Sequence, residues 1–409
     1  MRGHWYHGPK SLATGRSGTV TPTMFSDRSR APATTNRVAE AHARLRAEGR
    51  ELLDLTTGNP TRAGIHHDPR RIGSALASAA SATYEPESLG LASARGAVSA
   101  LWKERGFRVP PERIALTSST SEAYSMLFKI LADPGDSVLV PEPSYPLFEH
   151  LATYEGIRAV PYRLVHDGAW YVDLDSVKRA LTPDTRAVLS VSPNNPTGSF
   201  LKRSELRELA SFGLPLVSDE VFGAYALGED DTRARSALEA EDALVFALDG
   251  LSKLCALPQM KLAWTAIGGP GPLVQAALER LELVLDAYLS PGSPVQHALP
   301  ALLEEGADAR RAIQSRTARN LDALRRLASG SAVTPLHVEG GWYAPLRLPS
   351  TKSDEDWTLE LLDRANVAVQ PGYFFDFADD AHVVVSLLTP PETFDEGVRR
   401  LVLHVSADG

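Results

Sequence analysis

Seven short apolar runs, most of them followed by a segment of helical period, limit what this chain can become. They lie at residues 113–117, 137–140, 158–162, 187–191, 214–218, 244–248 and 262–267. Helical patterns separate most of them, as at 121–131, 174–181 and 203–212. A strand that is followed by a helix before the next strand builds a parallel sheet with helices on both faces. The pattern therefore predicts an α/β fold, with a mainly parallel seven-stranded sheet sandwiched by helices. Pro161 has no N–H to give a ladder, which places the third run at an edge or a strand end.

The two chain ends read differently. After Pro270 the pattern turns helical at 273–289, 295–305 and 309–327, and short strands return near 337–346, 367–370 and 383–387. Near the amino end, Val38, Ala41 and Leu45 mark one helical face that Gly49 stops, ahead of a short strand at 52–55. The two ends together predict a smaller α+β domain. The division is a tail over 1–23, an N-terminal part of the small domain over 24–70, a large domain over 71–299 and the C-terminal small domain over 300–409. The tail carries Arg2, Lys10 and Arg16 but no acid, and has no apolar stretch for a secretory signal. Gly8, Pro9, Gly15 and Gly18 interrupt any transit-peptide helix, so the tail is expected to be disordered, with Met24 as the true start. It is too short for a helix-turn-helix domain.

Charge narrows the partners. A net charge of −9 over 409 residues disfavours nucleic acid and anionic membrane, which need a basic surface, and points to small-molecule ligands. The single cysteine, Cys255, excludes an internal disulfide and fits a reducing cytoplasm; it reads as an inert small residue. His66, His67 and His337 lack metal-ligand spacing, so no metal is expected. No apolar run approaches the roughly 20 residues of a membrane span.

The ends of the strand-like runs carry the chemistry. Asp249-Gly250-Leu251-Ser252-Lys253 closes the sixth run on an amine. Thr117-Ser118-Ser119-Thr120-Ser121, Pro143-Ser144-Tyr145, Asn194-Asn195-Pro196-Thr197-Gly198 and Ser218-Asp219-Glu220 close earlier ones. Taken singly, Lys253 reads as a surface lysine, and Asp219 and Ser119 as helix caps. Taken together they gather at the carboxyl ends of parallel strands, where open α/β sheets hold their ligands.

In this order and spacing the motifs resemble those of fold-type I pyridoxal-phosphate enzymes, specifically the class I/II aminotransferases, over about residues 52–403. The resemblance implies pyridoxal 5'-phosphate as cofactor, held as an internal aldimine by Lys253, which then moves a proton as base. It implies Asp219 at the pyridinium nitrogen, where a buried carboxylate keeps the ring cationic and electron-withdrawing. Asn195 is implied at the phenolic oxygen, Tyr145 stacked on the ring and Ser252 beside the lysine. Ser119, Thr120 and Ser121 are implied around the phosphate, at a helix start whose free N–H groups favour an anion. Tyr84 is implied to reach the phosphate of a partner subunit in a homodimer. Gly58, Asn195, Arg62, Trp342 and Tyr373 are the implied substrate contacts, although aromatic clusters such as that of Trp342 are often plain core.

Three positions depart from the family pattern. Lys261 stands where the family has a phosphate-binding arginine, and supplies charge without a fork. Phe222 stands where a tyrosine donates to the phenolic oxygen, so that Asn195 serves it alone unless Tyr225 swings in. Val384 stands where an arginine grips the substrate carboxylate; Arg62, and less so Arg347, are the candidates to replace it. The expected activity is transfer of an amino group from an amino acid to a 2-oxo acid, with a bulky or aromatic donor favoured over aspartate or glutamate. The alternatives are a lyase, cyclase or decarboxylase on the same fold, and a non-catalytic cofactor-binding protein. A related acyltransferase would stack a histidine where Tyr145 stands.

Overall fold

The computed structural model of the chain describes residues 24–29, 36–289 and 291–408. The tail over 1–23 lies outside them. The strands, in chain order, are β1 (Leu53–Asp54), β2 (Ile114–Thr117), β3 (Ser137–Glu142), β4 (Arg158–Asp167), β5 (Ala169–Val172), β6 (Thr185–Val191), β7 (Leu216–Asp219), β8 (Val245–Gly250), β9 (Ala263–Gly268), β10 (Thr334–Pro335), β11 (Tyr343–Arg347), β12 (Val367–Ala368), β13 (Gln370–Pro371) and β14 (His382–Ser386).

All seven apolar runs are strands of one sheet, and an eighth, β5, joins it, in the order β2-β9-β8-β7-β6-β3-β4-β5. The five strands β8-β7-β6-β3-β4 pair parallel, β9 runs antiparallel between β2 and β8, and β5 folds back on β4 as a hairpin. β5 escaped the sequence reading because Ala169–Val172 is four residues long and alternates in exposure. It covers only 164–167 of β4, so Pro161 lies on a stretch paired with β3 alone.

Side-chain alternation splits the sheet between two cores. Val138, Leu189, Val217 and Phe246 pack under the helices Thr120–Leu131, Leu147–Glu155 and Gly271–Tyr288. Leu139, Val188, Leu216 and Val245 face the helices Leu174–Ala180 and Arg203–Ser211.

A second sheet, β10-β11-β14-β13, is antiparallel and covers a separate core that includes Leu346, Val383, Val385, Trp357 and Phe394. The amino end contributes here as expected: β1 pairs in parallel with β12, and Leu55 enters that core. The helix before β1 is capped by Asn36, whose Oδ1 accepts from the N–H groups of Val38 and Ala39 at 2.9 and 3.1 Å.

Two details differ from the sequence reading. The helices expected at 295–305 and 309–327 are one helix of 36 residues, Ser293–Ala328. Gly306 suggests a break in sequence, but an added Cβ there would lie 2.4 Å from Cys255 Cβ and Sγ, so the glycine serves close packing. The strand expected from 337 begins only at Tyr343, because Gly341 takes a φ of +81° and turns the chain.

Candidate active site

Lys253 sits in the short helix Leu251–Leu254 that leaves the carboxyl end of β8. Gly250 makes that exit possible, since a Cβ would stand 2.9 Å from Ala263 Cα on β9. The amine lies beside the rings of Phe222 and Trp342, with Nζ 5.8 and 5.6 Å from their centroids. Burial lowers its pKa below that of an ordinary lysine, against the opposing pull of the Asp219 charge. A desolvated amine of this kind is a better nucleophile than a surface ammonium.

Asp219 ends β7, the strand beside β8. Tyr124 Oη donates to its Oδ2 at 3.1 Å, and the N–H of Val221 donates to Oδ1 at 3.2 Å. Desolvation outweighs both and pushes the carboxyl up to about 6. It remains ionisable near neutrality and is positioned for a cation.

Of the two adjacent asparagines one is spent on scaffold. Asn194 accepts from Ser144 Oγ at 2.9 Å and donates to Pro143 O and Thr197 Oγ1 at 3.0 and 2.9 Å, tying the segment before Tyr145 to that after β6. Asn195 instead has a buried Oδ1 without a partner among the described residues. An orphaned amide oxygen inside a protein marks a place for a ligand. Burial and the Asp219 charge both raise the pKa of Tyr145, which sets that phenol near the carboxylate.

Ser119 caps the helix Thr120–Leu131, its Oγ accepting from Glu122 N at 3.1 Å. Glu122 Oε2 accepts from the N–H and hydroxyl of Ser118 at 2.5 and 2.7 Å. Thr120 and Ser121 are left in the first turn, where N–H groups have no intrahelical acceptor and the helix end is positive. An amine, a carboxylate, an unpartnered amide, a ring and an anion cradle are the donor set that the expected cofactor needs, and these residues fit it.

The other expected positions scatter. Phe222 is buried against Lys253 and carries no hydroxyl, while Tyr225 Oη donates to the backbone carbonyl of Lys253 at 2.6 Å. Tyr225 is therefore committed and does not replace the missing donor. Ser252 is half-buried beside the lysine; Lys261 is exposed, in a left-handed conformation with φ +54°. Tyr84 is 76% exposed and Arg62 is exposed on the turn after Asn59. Val384 is fully buried on β14, opposite Pro345 and Gln370, and Arg347 stands at the exposed end of β11. Tyr373 is half-buried, and its segment is held to the site by the hydrogen bond from Ser144 N to Phe375 O at 2.9 Å.

Two residues escaped the sequence reading. Tyr124 is the donor to Asp219; a tyrosine on the buried face of a helix needs a partner, and that was the available signal. Tyr343 is the other. It directly follows Trp342, and it is Tyr343 whose Oη closes on Gly58, where a Cβ would stand 2.2 Å away. Its ring is 6.4 Å from that of Phe222. Among the described residues no three potential ligands gather to hold a metal, and no helix is long and apolar enough to cross a membrane.

The fold and the strand-end site define a fold-type I enzyme. The family model for class I and II aminotransferases matches residues 50–401, and the chain belongs to that family; it is a transferase of amino groups. It is 27% identical over 379 residues to the glutamate-pyruvate aminotransferase AlaA of Haemophilus influenzae, covering 89% of this chain and 93% of that protein. It is 30% identical over 267 residues to an alanine aminotransferase of Mycobacterium tuberculosis, covering 64% of this chain and 62% of that one. Among solved structures, a Thermus thermophilus aspartate aminotransferase double mutant superposes with a TM-score of 0.79 at 26% identity, over 93% of this chain and 99% of that one. An Escherichia coli aminotransferase shares the fold at a TM-score of 0.83 and 24% identity, over 94% and 99%.

Proposed function

We propose that this chain is a pyridoxal 5'-phosphate-dependent aminotransferase that moves an amino group from an amino acid to a 2-oxo acid. The observation that carries the reading is the buried amine of Lys253, within the field of the Asp219 carboxylate at the end of the neighbouring strand, together with the unpartnered amide oxygen of Asn195 in the segment after the next strand, β6. When bound, the cofactor supplies a cationic ring that accepts electron density from the substrate Cα. Lys253 anchors it and afterwards takes and returns the proton at that carbon. Asp219 holds the ring nitrogen protonated, with Tyr124 orienting the carboxylate. Asn195 would hold the phenolic oxygen, and Tyr145 would pack on the ring. Ser119, Thr120, Ser121, Ser252 and Lys261 serve the phosphate end. Gly58, Trp342, Tyr343 and Tyr373 shape the substrate side, excluding water and favouring a bulky or aromatic donor over aspartate or glutamate. Arg62 is the cation nearest in sequence to Gly58.

The same reading makes the enzyme a cytoplasmic homodimer, with Tyr84 completing the partner's phosphate site. Tyr84 at 76%, Leu283 at 75% and Leu289 at 64% exposure are apolar side chains that a second copy would cover. The division at 70 and 299 goes with it, the helix Ser293–Ala328 running on from the large domain into the small one. The test is to incubate purified protein with the cofactor and a panel of amino donors and follow both cofactor absorption and released 2-oxo acid. Stoichiometric conversion of donor to 2-oxo acid, reversed by adding a 2-oxo acid, is expected. Release of ammonia, carbon dioxide or a cyclised product in its place contradicts the reading.

A further inference from the structure

Three segments that each border a residue of the site meet at one buried carboxylate, Glu339. Residues 198–202 follow Asn195, residues 225–233 follow Asp219 and Phe222, and Glu339 itself stands three residues before Trp342. Glu339 Oε1 accepts from Lys202 Nζ at 2.6 Å, and its Oε2 accepts from the N–H of Phe200 at 2.9 Å. Arg233 Nε lies 3.4 Å from Oε2 with its guanidinium over the Phe200 ring, and Lys202 Nζ also donates to Asp230 Oδ2 at 3.0 Å. Two anions thus meet two cations, as buried charges require.

The backbone repeats the connection. The N–H of Glu339 donates to Gly198 O at 3.2 Å, that of Leu227 to Glu339 O at 2.8 Å and that of Gly341 to Tyr225 O at 2.9 Å. The seam is tight: a Cβ on Gly198 would stand 2.6 Å from Gly340 O, and one on Gly340 would stand 2.6 Å from Phe200 Cε2. Directly after it comes Trp342, fully buried, with the rings of Phe222 and Tyr225 each 5.2 Å away edge-on and Lys253 Nζ 5.6 Å from its own centroid.

Lys202 is a poor local choice. It occupies the N-cap of the helix Arg203–Ser211 and makes no side-chain cap bond there. Serine, threonine, aspartate and asparagine are the residues that cap helices, and a cation is disfavoured at the positive helix end. A residue that breaks a local rule has its reason at longer range, and the partner here is Glu339, 137 residues on.

We infer that Glu339 is a positioning residue for the amine: clamped by Lys202 and Arg233, it fixes the Trp342 ring beside Lys253 and ties that ring to the segment carrying Asn195. The inference rests on the reading of Lys253 as the reacting amine. The one charge acting on Nζ among the described residues is Asp219 on β7. Phe222 lies 5.8 Å from Nζ, and Tyr225 holds the lysine's backbone carbonyl. With the Trp342 ring in place water is kept from the amine; displacing the ring readmits water and favours the ammonium form.

The test reads the amine and the fold separately. The full chain, freed of cofactor, is mixed with pyridoxal 5'-phosphate from about pH 6 to 10, and the midpoint of the uptake rate reports how readily Nζ gives up its proton. Urea unfolding reports stability. Glu339→Gln should raise the midpoint by about half a pH unit or more, and Lys202→Gln should raise it too. Trp342→Leu should also raise it, and in that background Glu339→Gln should add no further shift, since no ring is left to place. Lost stability at an unchanged midpoint in Glu339→Gln, or shifts that add in the double variant, overturns the inference. Should Glu339→Gln or the Trp342 variants not fold, Lys202→Gln, the more exposed partner, decides by its own midpoint. If the midpoints move as described but no donor yields a 2-oxo acid, the aminotransferase reading fails while the positioning of Lys253 stands.

Discussion

Tyr225 Oη donates to the backbone carbonyl of Lys253 at 2.6 Å, from a side chain with no exposed surface. The phenol that lies closest in sequence to Phe222 is thereby assigned to holding the backbone of Lys253 in place. Tyr225→Phe should therefore leave the pH midpoint of cofactor absorption unchanged. It should also cost about 1 kcal/mol of stability, the usual net value of one buried hydrogen bond. Spectrophotometric titration and urea unfolding check both. A shifted midpoint at unchanged stability means that Tyr225 serves the cofactor's phenol after all.

Tyr124 and Asp219 give a prediction with a sign. The carboxyl is pushed up to about 6 by burial while the hydrogen bond from Tyr124 holds it down. Pairing with a ring cation needs the ionised form, so cofactor affinity should fall as pH drops through about 6. Tyr124→Phe removes a donor that favours the carboxylate and should move this limb to higher pH. Dissociation constants of the cofactor from pH 5 to 8 measure it; superimposable profiles for the two proteins count against the assignment.

Sequence reading and structure agree where geometry is local. A residue that ends a buried parallel strand must lie at the sheet's carboxyl edge, so Asp219, Asn195 and Lys253 were legible from their place after apolar runs. The split of Asn194 and Asn195 into scaffold and spare amide was not, because it depends on Ser144 and Pro143 in the bend after β3, some 50 residues away. Nor was the reach of Tyr124 to Asp219, 95 residues apart. Those contacts are set by how helices seat on the sheet, which spacing along the chain does not record. The continuity of the helix through residues 306–308 was not legible for a related reason: Gly306 is a point of contact with Cys255.

Glu220 offers a test of the core that leaves the site's chemistry alone. It is buried, accepts from Ser236 Oγ and Ala237 N at 3.0 and 2.8 Å, and is pushed up to about 7 by desolvation. A carboxyl raised in the fold binds its proton more tightly there than in the unfolded chain. Its contribution to stability is complete below the unfolded value near 4.5 and is lost as pH rises through about 7. Glu220→Gln keeps an oxygen acceptor and cannot ionise, so the fall in Tm between pH 5 and pH 8 should be smaller than in wild type. An equal or larger fall means that the carboxyl is already ionised at pH 5.

The central claim is that the amine of Lys253 is the group on which the enzyme's chemistry turns. Borohydride reduction of the cofactor-loaded protein, followed by peptide mapping, tests it most directly. The account predicts one covalently labelled residue, Lys253, and no label or turnover in Lys253→Ala, while the variant keeps the wild-type fold by circular dichroism. A label on any other lysine, or reducible cofactor retained by Lys253→Ala, contradicts it.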